Sequence, residues 1–125
     1  MMTKNKILIV DDDVDSAIIQ QAIIQKLGYY TQIAINGLDA IKFIKQDPPD
    51  IILLDIFMPQ MDGYETIEYV SENYDIPIIV VTAGGNDIIK KITDMGILFY
   101  LQKPIIPNKL QKEINKCLEY YENVL

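Results

Sequence analysis

With 125 residues, 50% of them hydrophobic and 23% charged, the chain has the size and balance of one domain that buries roughly 65% of its unfolded surface, which excludes a disordered chain. Its 11 cationic residues are all Lys and face 18 acids, a net charge of −7, so direct nucleic-acid binding, which needs a positive footprint and uses Arg as base reader, is not expected. The absence of His and the single Cys117 exclude His-based triads, disulfides within the chain and Cys-cluster metal sites, leaving hard, oxygen-ligated ions such as Mg²⁺ as the metals this composition could hold.

The pattern alternates between short β-branched runs and helical periodicity. Residues 6–10 form an apolar run that ends at Asp11, Asp12 and Asp13. Asp15 or Ser16 is expected to cap a helix carrying Ile19, Ala22, Ile23 and Leu27 and closed by Gly28. A mixed strand over 29–35 precedes a helix over 38–46, with Leu38, Ile41 and Ile44/Lys45 on one face and Pro48-Pro49 as its stop. The apolar run 51–54 ends at Asp55, and Asp62 caps a helix over 64–73. The run 76–81 leads into Thr82-Ala83-Gly84-Gly85, Asn86 caps a helix over 87–95, and Gly96 follows. Residues 98–102 are a fifth strand, and Pro107 opens a last helix to about residue 122.

Runs as continuously apolar as 6–10, 51–54 and 76–81 suit strands covered on both faces, hence a parallel sheet between helices. Five βα units with right-handed crossovers predict an α/β, flavodoxin-like, doubly wound sheet of order 2-1-3-4-5 with five flanking helices, occupying 1–125 as one domain. Ligands of such sheets bind beyond the carboxyl ends of the strands. There the sequence places Asp11 and Asp12, Asp55, Thr82 and Lys103. Two like charges about 4 Å apart repel by about 4 kcal/mol at an effective dielectric near 20. Three crowded carboxylates therefore need a counter-charge, and Lys103 and a divalent cation are the candidates.

The segments ILIVDDD, ILLDIFMPQMDG, IIVVTA and YLQKP, in this order, resemble the receiver domain of bacterial two-component response regulators. The resemblance runs from about residue 4 to 122. It implies that Asp55 accepts a phosphoryl group from a histidine kinase or His-phosphotransfer protein, and that the domain catalyses this transfer and the later hydrolysis. It implies further that Asp12 ligates Mg²⁺ directly (Mn²⁺ can substitute), Asp11 mainly through water, and Phe57 through its backbone carbonyl. Lys103, the Thr82 hydroxyl and the Ala83 amide are the implied phosphoryl ligands. A carboxylate to attack phosphorus and cations to neutralise its equatorial oxygens are what a loose, in-line transfer needs. In the family the bond before Pro104 is often cis.

Tyr100 matches the family's switch aromatic, which turns inward as Thr82 is drawn to the phosphoryl group. This reshapes the face of the fourth helix, fifth strand and fifth helix that an output domain or a homodimer partner reads. Two departures stand out. Leu98 and Phe99 lie where acids often form dimer salt bridges, and are expected to give an apolar association surface or a local core. Phe57 and Gly84 occupy the two positions that flank the attacking water; neither can orient it, so slow autodephosphorylation is expected. Two other readings remain: a haloacid-dehalogenase-type phosphohydrolase, which wants an acid where Phe57 stands, and a receiver-like module that binds partners without phosphorylation. There is no P-loop. Nothing in the sequence marks a membrane span or signal peptide, so the expected compartment is the cytoplasm. Tyr120-Tyr121 and Val124-Leu125 give an apolar tail that packs on the domain or leads to an output domain excised from it.

Overall fold

The computed structural model describes residues 5–124. Five strands, β1 (Lys6–Val10), β2 (Tyr30–Ala34), β3 (Ile51–Leu54), β4 (Ile78–Thr82) and β5 (Phe99–Gln102), alternate with five helices, α1 (Val14–Lys26), α2 (Gly37–Gln46), α3 (Gly63–Asn73), α4 (Asn86–Asp94) and α5 (Pro107–Val124). The strands are all parallel, in the order β2-β1-β3-β4-β5, which is the predicted flavodoxin-like topology.

Side chains of a strand alternate between faces, and this sheet buries both. Ile7, Ile9, Ile51, Leu53, Ile79 and Val81 pack with Ala17 and Ile24 of α1 and with Leu110, Ile114 and Cys117 of α5. Leu8, Val10, Ile52, Leu54 and Val80 pack against α2, α3 and α4 through Ala40, Ile44, Ile67, Val70 and Ile92. β1, β3 and β4 read as unbroken apolar runs because neither face meets water.

The helix ends show where the sequence reading was displaced. Asp13, not Asp15 or Ser16, caps α1, its carboxylate accepting from the N–H groups of Asp15 and Ser16 at 3.1 and 3.3 Å. Asn86 is the first residue of α4, and Gly85 holds the cap position with no side-chain bond. Asp62 caps α3 as expected, in a reciprocal box with Glu65. Gly28 and Gly96 follow α1 and α4 at φ of +96° and +92°, a conformation that costs a side chain most. Of the residues expected on α1, Ile23 and Leu27 pack against the core, but Ile19 and Ala22 do not. Ala17, Gln20 and Ile24 are buried while Ile19 is exposed. The helix is apolar nearly all round, so its sequence specified no unique inner stripe. In α2, Leu38 is likewise exposed and Ala40, Ile41 and Ile44 are buried.

Phe99 is 9% exposed and Leu98 54%. Consecutive positions at a strand's start point to opposite faces, and Phe99 enters a cluster with the Tyr120 and Tyr121 rings of α5 at 5.8 and 6.4 Å between centroids. The expected apolar surface at 98–99 is therefore one residue wide, and Phe99 belongs to the core. Tyr121 packs on the domain; the reading of Leu125 and of the Val124 side chain lies outside the described residues.

Candidate functional site

Asp11, Asp12 and Asp55 come together because β1 and β3 are neighbours in register and both acidic segments begin one residue past a strand end. The Asp55 N–H donates to the Val10 carbonyl at 2.9 Å and the Asp11 N–H to the Ala34 carbonyl at 3.0 Å, continuing the ladder beyond the strands. The three carboxylates offer oxygens within 4.8 Å of one another. Asp11 and Asp55 are buried and Asp12 is exposed, so the cluster opens to solvent on the Asp12 side.

Lys103 follows β5, its N–H donating to the Thr82 carbonyl at 2.8 Å, and the Lys103-Pro104 bond is cis. The Lys103 ammonium donates to Asp11 Oδ2 at 2.9 Å and to Asp55 Oδ2 at 3.3 Å. Asp55 Oδ1 accepts the Ile56 N–H at 2.8 Å. Burial pushes the Asp55 pKa up, the Lys103 charge opposes this, the Asp11 charge adds to it, and the result lies above the ordinary 3.8. Burial alone would lower the Lys103 pKa. Its hydrogen bond to Asp11 and the charges of Asp55 and Asp11 outweigh burial and raise it. One ammonium among three carboxylates leaves the cluster two negative charges in excess.

That donor set (all oxygen, anionic and open on one side) fits a hard divalent cation, and Mg²⁺ characteristically takes one or two carboxylates and keeps waters. Thr82 is fully buried, and its hydroxyl oxygen accepts the Gly84 N–H at 3.1 Å. Ala83 is exposed beside it, at the carboxyl end of β4, next in the sheet to β3. Phe57 is 57% exposed. A Cβ on Gly84 would collide with Ile88 Cγ1, so Ile88 fills the space a side chain there would need. Tyr100 is 38% exposed, its N–H donates to Glu113 Oε2 at 3.2 Å, and among the described residues no hydrogen bond joins it to Thr82. Cys117 is enclosed by α5 and the sheet, and burial with the nearby Glu113 charge pushes its thiol up to about 12.

Sequence reasoning missed Gln20. It is 1% exposed and donates its side-chain amide to Asp11 Oδ2 at 3.1 Å. Its signal was a polar residue at the inward spacing of Ala17 and Ile24, positions outside the expected set of Ile19, Ala22, Ile23 and Leu27.

Residues 7–115 match the family profile described as response regulator receiver domain. The chain is 35% identical over 126 residues to sporulation initiation phosphotransferase F of Bacillus subtilis, covering 98% of this chain and 100% of that protein. It is 36% identical over 118 residues to the probable transcriptional regulator ycf27 of Guillardia theta, covering 93% of this chain but 46% of the relative. The chain thus spans about half the length of several curated relatives it matches. A receiver domain protein (CheY-like) from Methanospirillum hungatei superposes with a TM-score of 0.90 at 26% identity, over 98% of this chain and 100% of that one. Fold, ordered motifs and relatives agree: the chain belongs to the response regulator receiver domains, the phosphoacceptor modules of two-component signalling.

Proposed function

We propose that residues 1–125 form one receiver domain in which Asp55 is the phosphoacceptor, the donor being a histidine kinase or His-phosphotransfer protein. An Asp55 carboxylate oxygen attacks phosphorus in line as the donor's P–N bond breaks. Lys103, within reach of both Asp55 and Asp11, shifts its ammonium to a phosphoryl oxygen, and the Thr82 hydroxyl and Ala83 amide hold another. The Asp12 and Asp55 side chains and the Phe57 carbonyl would hold Mg²⁺ directly and Asp11 mainly through water, with Mn²⁺ able to replace it. When bound, the divalent ion supplies charge neutralisation of the phosphoryl oxygens. The observation that carries this reading is the convergence of three carboxylates within 4.8 Å and of Lys103 upon two of them. Structure built for folding alone has no use for that excess charge.

In the same reading, movement of Thr82 toward the phosphoryl group draws Tyr100 inward and changes the α4-β5-α5 face. That face addresses an attached output domain, a homodimer partner or a separate protein. The domain acts in the cytoplasm; among the described residues no helix is long and apolar enough to cross a membrane. The test is labelling with radioactive acetyl phosphate, with and without Mg²⁺, in wild type and Asp55→Asn. Mg²⁺-dependent label that disappears in the variant is expected; label retained by Asp55→Asn overturns the assignment.

A further inference from the structure

We infer that Gln20 is a positioning residue for the acidic site: it holds Asp11 for the divalent cation and keeps it held when Lys103 leaves for the phosphoryl group. This rests on the Mg²⁺-dependent reading of the cluster and adds to it a residue from the middle of α1. Gln20 is 1% exposed, between the buried Ala17 and Ile24 of the same helix stripe. A primary amide sunk in an apolar stripe costs free energy unless it is bonded, and an aliphatic side chain would fill the position without that cost. Its Nε2 lies 3.1 Å from Asp11 Oδ2, 3.2 Å from Ser16 Oγ and 3.3 Å from the Ser16 carbonyl. Only this amide orientation pairs a donor with the Asp11 carboxylate; the flipped amide would set two acceptors against each other.

The division of labour on Asp11 follows from counting lone pairs. Oδ2 accepts from Gln20 at 3.1 Å and from Lys103 at 2.9 Å, which fills it. Oδ1 accepts the Asp13 N–H at 3.0 Å and has one acceptor position left. Asp11 is thereby turned so that a single oxygen can meet the cation or a water bound to it. Lys103 is shared with Asp55, so a phosphoryl group on Asp55 competes for it. Once Lys103 moves, Gln20 is the side-chain donor that keeps Oδ2 bonded and the carboxylate from rotating. Such outer partners of ligating groups commonly change metal affinity about 10- to 100-fold when removed.

The test is Mg²⁺ titration of ¹⁵N-labelled protein followed by NMR, comparing wild type, Gln20→Met and Asp11→Asn. The methionine has similar length and no amide. In wild type the Gln20 side-chain NH₂ signals are expected to shift with the same midpoint as the backbone signals of Asp11 and Asp55. Gln20→Met is expected to bind Mg²⁺ about tenfold more weakly, with the backbone spectrum of the folded domain retained in Mg²⁺-free buffer. Gln20→Met binding within about twofold of wild type, while Asp11→Asn binds weakly, overturns the role of Gln20 and leaves the cation reading standing. Unweakened binding by Asp11→Asn overturns the cation reading itself. If Gln20→Met does not fold, wild type decides: Gln20 signals unmoved at saturating Mg²⁺ overturn the inference, and signals that track the titration support it.

Discussion

The Lys103 ammonium lies 3.3 Å from Asp55 Oδ2 although 48 residues separate them, and it is 2.9 Å from Asp11 Oδ2. The contact exists because β3 and β5 flank β4 and release their chains at the same rim. Lys103 therefore stabilises the resting cluster with the same group that is proposed to stabilise the transferred phosphoryl.

Removing that ammonium exposes the repulsion it offsets. Lys103→Met is expected to cost about 2 kcal/mol in Mg²⁺-free buffer, since buried Asp11 and Asp55 lose their shared donor, and to slow acetyl phosphate labelling about 100-fold. The Lys103 pKa is raised by folding above 10.5. Its contribution is thus complete below that value and fades as pH climbs through the folded-state pKa. Urea denaturation across pH 7 to about 11 should show the gap between wild type and variant closing at the alkaline end.

Asp55→Asn should have the opposite sign. Folding raises the Asp55 pKa above 3.8, so the folded state disfavours the carboxylate. Wild type loses stability as pH rises from the ordinary value through the folded one. The Asn variant escapes this loss and is expected to be more stable by about 1 kcal/mol at neutral pH without Mg²⁺, an advantage that shrinks toward pH 4. Mg²⁺ at about 100 times its dissociation constant should then stabilise wild type by about 2.7 kcal/mol, and the variant by much less. Thermal melts in chelator and in Mg²⁺ measure both.

Phospho-Asp55 should be long-lived. Phe57 offers no polar group, and Gly84 has no side chain, with Ile88 in the space one would need. Phe57→Asn is expected to shorten the phosphoryl half-life by at least about tenfold by orienting the attacking water. A wild-type half-life of seconds in Mg²⁺ would count against this account.

Phe99 and Leu98 should part company. Phe99→Ala empties a site shared with the Tyr120 and Tyr121 rings and is expected to cost about 3 to 4 kcal/mol. Leu98→Asp, on an exposed position, should change stability by no more than about 0.5 kcal/mol. It is therefore the variant that reads association, by sedimentation before and after phosphorylation. An unchanged oligomeric state and partner affinity would remove Leu98 from the output surface.

Composition and pattern by themselves determined a great deal about this protein. Continuous apolar runs at β1, β3 and β4 admit little but a sheet covered on both faces, and right-handed crossovers leave the observed strand order as the favoured threading. Because β1 and β3 each end in acids, adjacency of Asp11, Asp12 and Asp55 followed from the order alone. Tertiary packing decided what local sequence leaves degenerate. α1 is apolar on nearly every side, so only docking against β1 and β2 selected Ala17, Gln20 and Ile24 as its inner stripe and gave Asp11 its amide partner. Whether Phe99 made surface or core depended on α5 returning two tyrosines to it from about twenty residues away. Periodicity records which residues prefer to leave water; which of several equally apolar faces does so is settled by the surface each one meets.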